Sequence, residues 1–258
     1  MISVVGVGGI GSIIAEHLIH MGFRHINLID FDTLEISNLN RIVAATYRDA
    51  KEHRIKVEAI RDNLLKINPN AEIKAFNSKL EPSHKNVLSD MKVERALANS
   101  DWIMAATDNH ASRFLIQELA FRYYVPFIVA GVNITVEDGK ILDMSGEVIL
   151  IRMGDRVCLK CLKRINYNEV YKVIHPDRTV REGLVHKGYV RGLDVKEPAV
   201  KTLNTHVATL AVDVLVNQYT ERQRDRVIVV FEDNVSPCIY EDVDSVADRN
   251  LHCDVCDI

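Results

Sequence analysis

The sequence predicts an α/β fold with a doubly wound, mainly parallel sheet that antiparallel strands extend. In the first half of the chain, short β-branched runs alternate with stretches of helical spacing, and this alternation is typical of parallel β-α-β units. In the second half, apolar runs follow each other over short links, which indicates antiparallel pairing. Two C-x-x-C pairs add a predicted four-cysteine zinc site. Together these features predict a Rossmann-like domain.

The first forty residues predict a strand, a glycine-rich turn, a helix and a second strand. Ile2–Val5 is a β-branched run that is long enough for a buried strand. Apolar side chains recur at helical spacing from Ile10 to Met21, and Ile26–Ile29 predicts a second strand that ends at Asp30. The glycines of the turn are Gly6, Gly8, Gly9 and Gly11.

This turn has the pattern G-x-G-x-x-G, which favours a nucleotide-binding site. Glycines let the backbone turn tightly and approach a ligand closely, and the following helix offers N–H groups and a positive dipole end to a phosphate. Asp30 is placed at the strand end to accept hydrogen bonds from ribose hydroxyls. The pattern alone does not choose between NAD and ATP, and a purely structural turn is the alternative.

The residues that follow Asp30 favour a nucleoside triphosphate. Asp32, Asn38 and Arg41 come within eleven positions of it, so carboxylates, amides and a guanidinium converge beyond the carboxyl ends of the strands. A dehydrogenase needs one carboxylate at this place. The mixture found here suits phosphates whose negative charge must be neutralised.

Four motifs stand out along the chain. They are GVGGIGS at residues 6–12, LIDFDTLEISNLNR at residues 28–41, Lys56 before a long helical stretch, and ATDN at residues 106–109. Together they resemble the ThiF/MoeB/HesA family, whose members are the adenylating relatives of ubiquitin-activating enzymes. The resemblance covers nearly the whole chain. It is specific for the family and much less specific for the substrate.

The resemblance implies that the nucleotide is ATP and that Mg²⁺ bridges its phosphates. Arg41, Lys56 and Asp108 are the implied catalytic residues, with Arg41 and Lys56 on the phosphates and Asp108 on the Mg²⁺. Asn38 is implied near the triphosphate, and Asp32 supports the metal or Arg41. The residues alone leave alternatives open, because Lys56 also fits a solvated lysine on a charged helix, and Asp108 also fits a helix N-cap sequence.

Five further elements are predicted before residue 125. Helical and strand patterns alternate through this stretch, and Asn-Pro at residues 68–69 ends the first of the helices. The elements are a helix at Asp49–Ile67, a strand at Ala71–Phe76, a helix at Ser83–Ala98, a strand at Asp101–Ala106 and a helix at Asn109–Tyr124.

The second half of the chain predicts antiparallel strands and one long helix. Pro126–Ala130 is a very apolar strand that Gly131–Asn133 should end in a turn. The stretch from Ile134 to Ile151 then predicts two strands about a link at Asp143–Gly146. Pro198–Tyr219 predicts an amphipathic helix whose broad apolar side suits a core or a dimer face.

The chain is predicted to form a single domain over residues 1–258. Its nucleotide-binding half covers about residues 1–131, a charged crossover loop covers about 162–197, and residues 198–258 supply the last helix, strands and a zinc-bound tail. Hydrophobic residues make up 47% of the sequence, which is enough for a full core. The net charge of −4 gives no basic footprint for nucleic acid.

The compartment is inferred from three absences in the sequence. No apolar run reaches the length of a membrane span, Met1 runs directly into a predicted strand without a signal peptide, and the cysteines are not spaced as a disulfide framework. We therefore expect a cytoplasmic protein. Members of the resembled family carry helices and an arginine ahead of the first strand, and no counterpart of that arginine is found here.

Four of the five cysteines form two C-x-x-C pairs, which in a reducing compartment indicate zinc. Unpaired structural cysteines or a redox pair are the alternatives. The resembled family has the same arrangement as a structural site. The fifth, Cys238, lies outside the crossover loop in which conjugating relatives carry a nucleophile, and we interpret it as a small packed residue. The paired cysteines are Cys158, Cys161, Cys253 and Cys256.

The resemblance implies an ATP-dependent adenylyltransferase. Its substrate would be the C-terminal carboxylate of a small ubiquitin-like (β-grasp) protein or of a peptide, activated as acyl-AMP. No cysteine occurs between Leu162 and Pro237, so we expect direct transfer to an external acceptor such as a sulfur donor. A homodimer is expected. Two alternatives are a non-catalytic partner subunit of a heterodimeric activating enzyme and an NAD-dependent oxidoreductase.

Overall fold

One mixed sheet of eight strands forms the centre of the described structure. The computed structural model describes residues 1–80, 88, 90–137, 140–168, 170, 200–232, 237–249 and 252–256. The strands are Ile2–Val5 (β1), His25–Asp30 (β2), Glu72–Asn77 (β3), Trp102–Ala105 (β4), Phe127–Glu137 (β5), Lys140–Ile151 (β6), Ile228–Glu232 (β7) and Cys238–Glu241 (β8). The helices are Gly11–His20 (α1), Tyr47–Lys51 (α2), Lys56–Ile67 (α3), Met91–Ala98 (α4), His110–Tyr123 (α5), Lys201–Thr220 (α6) and Val243–Ala247 (α7), with a 3-10 helix at Ile36–Asn40.

The strand order is β3-β2-β1-β4-β5-β6-β7-β8. The first five strands in this order are parallel to one another, whereas β6, β7 and β8 add antiparallel pairs. Val5 is in register with Ile29 on one side and with Ala105 on the other. The carboxyl ends of β1, β2 and β4 therefore meet at one edge of the sheet. The predicted doubly wound sheet with an antiparallel extension is confirmed.

Helices cover both faces of the parallel part of the sheet. Successive side chains of a strand point to opposite faces, and β1 shows the consequence. Val4 packs into an apolar cluster with α1, α3 and α6, whereas Val5 packs into a second cluster with α4 and α5. Both side chains are fully buried, which is the arrangement that a parallel sheet requires.

The stretch predicted as one helix over Asp49–Ile67 consists of two helices. α2 ends and α3 begins several residues apart, and His53 between them has a positive φ of 48°. A left-handed residue of this kind interrupts a helix. Among residues 49–54 only Ala50 is apolar, so the spacing of apolar residues gave no indication of where the helix is interrupted.

The carboxylate of Asp49 stabilises the connection between α2 and α3. It accepts hydrogen bonds from Thr46 Oγ1 at 2.6 Å, from Arg54 Nη1 at 2.9 Å and from Asn63 Nδ2 at 3.0 Å. Burial raises the pKa of Asp49, but the hydrogen bonds from Thr46 and Arg54 outweigh burial and bring the pKa below its usual value. Asp49 thus joins the two helices as a buried, ionised acceptor.

β5 and β6 form a long hairpin, and this corrects two predicted turns. Gly131–Asn133 lies inside β5, and Asp143–Gly146 lies inside β6. Glu137 pairs with Lys140, and the dipeptide between them, Asp-Gly, is a strong sequence signal for a two-residue hairpin turn. The prediction overlooked this signal and placed the turns at the glycines on either side of it.

The two strand glycines are explained by close packing. A Cβ atom on Gly146 would lie 2.1 Å from Val207 Cγ2 of α6, and one on Gly131 would lie 2.2 Å from Arg113 Nη2 of α5. Only glycine fits such an approach without moving its neighbour. Glycine in these strands therefore marks places where a helix side chain contacts the sheet backbone.

The long C-terminal helix α6 packs within the chain. Leu203, Val207 and Leu215 are fully buried, and α6 lies against α1, β5, β6 and β7. The apolar side that the sequence offered as a core or dimer face is therefore a core face. The expected homodimer then rests on the family resemblance alone.

Some predictions lie outside the described residues. The crossover loop is described only at its beginning, over residues 162–168 and 170. The helix predicted over Ser83–Ala98 begins later than predicted, at Met91, because Asp90 is its N-cap in an extended conformation, while residues 81–87 and 89 lie outside the described residues. Apart from this helix and the break between α2 and α3, the strands and helices predicted before residue 125 agree with the structure within one or two residues. None of the helices described combines the length and the apolar character that a membrane span would need.

We expect Asp49→Asn to lower the free energy of unfolding at pH 7 by roughly 1–3 kcal/mol, since it weakens a charge-assisted bond to Arg54. The folded pKa is depressed, so ionised Asp49 stabilises the fold above its unfolded pKa of about 4, and this stabilisation is lost as the pH falls through the folded pKa. In urea titrations, the difference in the free energy of unfolding between wild type and variant should therefore decrease as the pH is lowered from about 5 to about 2, because aspartate in the unfolded chain has a pKa of about 4.

The matched control is Glu52→Gln, which removes an exposed partner of Arg48 on the same helix pair. It should leave the unfolding midpoint nearly unchanged, because exposed ion pairs contribute little. An Asp49→Asn defect of constant size at every pH would contradict the assigned role.

Candidate functional site

The glycine turn lies at the edge where β1, β2 and β4 end. Gly6 has a φ of 81°, and a Cβ atom on it would lie 2.8 Å from the carbonyl oxygen of Ala106, just after β4. A Cβ atom on Gly11 would lie 1.8 Å from the carbonyl oxygen of Gly6. These two glycines let the turn fold against its neighbours. Gly8 has no atom within 4 Å of its Cβ position, so its surroundings are open for a ligand.

Gly9 brings two other parts of the chain to the turn. A Cβ atom on Gly9 would lie 2.5 Å from Asn204 Nδ2 of α6 and 3.4 Å from the Cβ and Cδ atoms of Arg41. The aliphatic stem of Arg41 thus lies against the glycine turn. Asn204 is buried, and the sequence reasoning missed it, because an asparagine within an amphipathic helix carries no motif.

Asp30 closes the turn from the end of β2. Its carboxylate accepts hydrogen bonds from the backbone N–H of Val7 at 2.8 Å and from the backbone N–H of Asp32 at 2.9 Å. Burial raises the pKa of Asp30, and the charge of Lys56 acts against this increase. Each carboxylate oxygen can accept more than one hydrogen bond, so the ribose contact that the sequence predicts remains open to it.

Lys56 is buried at the start of α3, with 6% of its surface exposed. Its Nζ donates to Asp32 Oδ2 at 2.8 Å and lies 3.7 Å from Asp30 Oδ1. The alternative of a solvated lysine on a charged helix face is therefore wrong. An ammonium group has three donors, so Lys56 can keep a carboxylate partner and still donate to a phosphate.

The 3-10 helix Ile36–Asn40 positions Asn38 and Arg41. The Asn38 side chain accepts a hydrogen bond from the backbone N–H of Glu35 at 3.1 Å and so caps this helix. Arg41 Nη1 donates to Asn40 Oδ1 at 3.2 Å and to the carbonyl oxygen of Ser37 at 3.4 Å. Arg41 therefore presents its guanidinium beside the glycine turn, whereas the Asn38 oxygen is used within its own loop.

The helix N-cap that the sequence left open as a role for Asp108 is Asn109 instead. Asn109 is the N-cap of α5, and its Oδ1 accepts from the backbone N–H of Ser112 at 2.8 Å. Asp108 is exposed at the end of β4. Beside it, the hydroxyl of Thr107 is buried without a hydrogen-bond partner among the described residues. An exposed carboxylate and an unsatisfied hydroxyl thus adjoin the glycine turn.

A cavity of about 890 Å³ opens at Asp108 and extends over the antiparallel strands. Polar and charged side chains dominate its walls, and Arg113 is among the most buried of these, with 13% of its side chain exposed. Apart from Asp108, no motif had pointed to the residues of its walls. The cavity is lined by Asp108, His110, Arg113, Gly131, Val132, Asn133, Ser145, Gly146, Glu147, Lys163, Arg164, Ile165, Asn166, Tyr167, Asn168, Val230, Glu232, Tyr240 and Asp242.

The four paired cysteines form one buried cluster that packs in the same apolar core as α5. Their sulfur atoms all lie within 4.8 Å of one another, and Cys158 Sγ lies 3.5 Å from Cys253 Sγ. Zinc–sulfur bonds of 2.3 Å place tetrahedral sulfurs about 3.8 Å apart, so the cluster fits a zinc ion. Burial raises the pKa of Cys158 and raises that of Cys256 to about 12. These thiols therefore need a cation to ionise.

The cluster anchors the end of the described chain to the core. The backbone N–H of Cys158 donates to Cys161 Sγ at 3.1 Å, which joins the two cysteines of the first pair. Gln117 of α5 accepts from the backbone N–H of Leu159 at 2.7 Å in the interior. Cys238 stands apart and is exposed in β8, so the interpretation of it as a packed residue is wrong. It shares a strand face with Tyr240, two residues on, which lines the cavity.

Known proteins resemble this chain in sequence and in fold. Molybdopterin-synthase adenylyltransferase of Escherichia coli is 30% identical over 163 residues, which is 63% of this chain and 58% of that protein. Ubiquitin-like modifier-activating enzyme 5 of Caenorhabditis elegans is 28% identical over 171 residues, covering 62% of this chain and 37% of that enzyme. The chain thus spans less than two thirds of the length of these relatives.

Solved structures show the same fold at lower identity. The crystal structure of E. coli MccB with AMPCPP and selenomethionine-labelled MccA superposes with a TM-score of 0.70 at 18% identity, over 99% of this chain and 66% of that chain. The crystal structure of PaaA superposes with a TM-score of 0.65 at 20% identity, over 93% of this chain and 72% of that chain. The ThiF family profile matches residues 1–224, and the chain belongs to the ThiF family.

Proposed function

We propose that the chain is an ATP-dependent adenylyltransferase that activates a C-terminal carboxylate as acyl-AMP. One observation supports this proposal most directly. The buried ammonium group of Lys56 pairs with Asp30 and Asp32 beside the glycine turn. An ammonium group at this point can bind phosphate anions, and the triphosphate of ATP carries more negative charge than the diphosphate of NAD. The family membership supports the same activity, because relatives are named adenylyltransferases and modifier-activating enzymes.

The proposed reaction needs no base. A carboxylate oxygen of the substrate forms a bond to the α-phosphorus of ATP, the bond from that phosphorus to the bridging oxygen breaks, and pyrophosphate leaves with the electron pair. The attacking group is already an anion, so no proton moves. The protein must hold two anions together and neutralise charge on the leaving group.

Each predicted residue has a proposed part in this reaction. Phosphate oxygens accept hydrogen bonds from the amides of the glycine turn and of the N-terminus of α1. This N-terminus has no side-chain cap. Arg41 and Lys56 neutralise the pyrophosphate as it leaves, and Asp30 accepts from the ribose hydroxyls. Asn38 holds the loop that carries Arg41, and Asp32 positions the Lys56 ammonium.

Asp108 is the proposed Mg²⁺ ligand. Mg²⁺ binds through one or two carboxylates together with substrate phosphates, and Asp108 is an exposed carboxylate beside the open turn. The unsatisfied Thr107 hydroxyl next to it is a further oxygen that could reach the ion or a phosphate. When bound, Mg²⁺ supplies charge neutralisation on the triphosphate.

The substrate class and the assembly are part of the proposal. E. coli MccB was crystallised with MccA, and C. elegans enzyme 5 is named for activating ubiquitin-like modifiers. We infer a small β-grasp protein or a peptide C-terminus as the acyl donor for this chain. The family resemblance further supports a cytoplasmic homodimer, which a monomer mass in light scattering would contradict.

Lys56→Ala and Asp108→Ala are each expected to reduce ATP–pyrophosphate exchange by about 10²-fold or more, because each removes charge stabilisation of the leaving group. Exchange is measured with the small-protein fraction of the source cell as acyl donor. Lys51→Ala, an exposed lysine on α2, is the matched control and should retain wild-type exchange. Full exchange in both site variants would exclude the proposed site.

Zinc is expected at one ion per chain in the native protein, bound by Cys158, Cys161, Cys253 and Cys256. Removal by a chelator should lower the melting temperature, because metal binding is part of the folding free energy. Elemental analysis of Cys253→Ser should show the ion lost, whereas Cys238→Ser should keep it. Native protein that contains neither zinc nor a disulfide among these cysteines would disprove the metal site.

Direct transfer from acyl-AMP to an external acceptor is expected, because four cysteines are buried in the cluster and Cys238 alone is exposed. The position of Cys238 on the cavity side of β8 makes it the residue to test. Cys238→Ala should leave adenylation and product formation intact. The expectation fails if wild type forms a reducible covalent enzyme–substrate species that this variant lacks, since Cys238 would then be a relay.

A further inference from the structure

We infer that Arg113 binds the substrate carboxylate in the cavity beside Asp108. The inference rests on the proposed adenylation and names a residue that the glycine turn, Lys56 and Asp108 do not include. Four observations carry it: the place of Arg113 in the fold, the glycine on which its guanidinium lies, the loose pairing of its charge and the polarity of the cavity around it.

Arg113 lies one turn into α5, directly behind the Asp108 loop. Its Nε donates to the carbonyl oxygen of Thr107 at 3.2 Å, and Thr107 Cγ2 lies 3.2 Å from the Cβ position of Gly6. Arg113 is thus tied to the same loop that packs on the glycine turn. A group held by its guanidinium would lie next to the place where ATP phosphates are proposed.

The guanidinium of Arg113 lies on the backbone of β5. A Cβ atom on Gly131 would be 2.2 Å from Nη2 and 3.3 Å from Cζ. A side chain at position 131 would therefore displace the guanidinium. A glycine in the middle of a strand, such as Gly131, lowers the stability of that strand. Here it leaves the space that the guanidinium of Arg113 occupies.

Arg113 has only a long ion pair among the described residues. Its Nη1 lies 4.0 Å from Glu147 Oε1, which is beyond hydrogen-bond distance. Glu147 is nearer to Arg164, with Nε–Oε2 at 3.1 Å, and Arg164 also pairs with Asp242 at 2.7 Å. Arg164 thus engages two carboxylates at short range, whereas Glu147 lies at 4.0 Å from Arg113. Both terminal nitrogens of Arg113 still have N–H groups for a planar, bidentate acceptor.

The environment favours a carboxylate over a phosphate at this place. Burial lowers the pKa of Arg113, and the charges of Glu147 and Asp108 act against this change. Because the buried guanidinium has lost hydrogen bonds to water, a bound carboxylate that accepts its hydrogen bonds would stabilise its charge. Two resident carboxylates would repel a polyphosphate more strongly. Amides and hydroxyls from Asn133, Ser145 and Asn166 complete the walls, and they can bond the peptide groups of a chain end.

The test measures binding of a carboxylate that is independent of the unidentified substrate. N-acetylglycylglycine is added to the protein with Mg²⁺ and a non-hydrolysable ATP analogue, and N-acetylglycylglycinamide serves as the uncharged probe. The Nε–Hε NMR signal of Arg113 is assigned by its loss in Arg113→Gln. We expect it to shift in a saturable manner with the free acid and not with the amide.

Variants separate binding from a structural role. Arg113→Gln should weaken N-acetylglycylglycine binding about tenfold or more, which corresponds to 1.4 kcal/mol, when binding is followed by the Gly146 amide signal. Gly131→Ala keeps the arginine but displaces its guanidinium, so it should weaken the same binding. Arg48→Gln, which removes a guanidinium whose side chain is 85% exposed, is the control and should have no effect.

The outcomes distinguish this inference from the proposed function. An ATP analogue that failed to bind the wild-type protein would contradict the proposed function itself. If the analogue binds while the Arg113 signal responds equally to the acid and the amide, or to neither, the carboxylate role is overturned. Wild-type affinity in both Arg113→Gln and Gly131→Ala would overturn it as well.

Discussion

The hydrogen bond from the Val7 N–H to the Asp30 carboxylate fixes the end of β2 against the glycine turn. The parallel register of β1 and β2 brings the two groups to the same edge of the sheet. Because Asp30 is held there, the Asp32 backbone and then the Lys56 ammonium are placed beside the turn. The turn, the acidic tip of β2 and the start of α3 therefore form one unit around this contact.

This unit contains a buried lysine that is paired with carboxylates. Lys56 is buried between two carboxylates, of which Asp32 is the closer. Removing one partner from a buried ion pair is expensive because the other charge loses its compensation. A phosphate that approached Lys56 would add a further anion to a lysine that already pairs with carboxylates. In the proposed reaction, Mg²⁺ at Asp108 and the guanidinium of Arg41 would supply the additional positive charge.

The elements of the parallel half could be predicted because strand and helix periods alternate clearly there. The break between α2 and α3 could not, since it depends on the tertiary hydrogen bonds of Asp49 to Arg54 and Asn63. The turns at Gly131 and Gly146 were predicted wrongly for a related reason. A strand glycine that admits a helix side chain looks, in sequence, like a glycine that turns the chain.

In the candidate site, too, some residues could be predicted from sequence motifs and others depend on tertiary contacts. Motifs pointed to Lys56, Arg41 and Asp108 at their sequence positions, but not to the burial of Lys56 or to its pairing with Asp32. Arg113 and Asn204 carry no local signal, because their neighbours come from β5 and from the glycine turn, far away in sequence. Such residues become visible only when the fold brings distant segments together.

Transfer of label from ATP tests the central claim most directly. The protein is incubated with Mg²⁺, the small-protein fraction of its source cell and ATP labelled at either the α- or the γ-phosphate. Acyl-adenylation predicts that a protein or peptide acquires label from the α-position as AMP on its C-terminal carboxylate, and that none is acquired from the γ-position. Label from the γ-position, or an absence of label from both, would contradict the account.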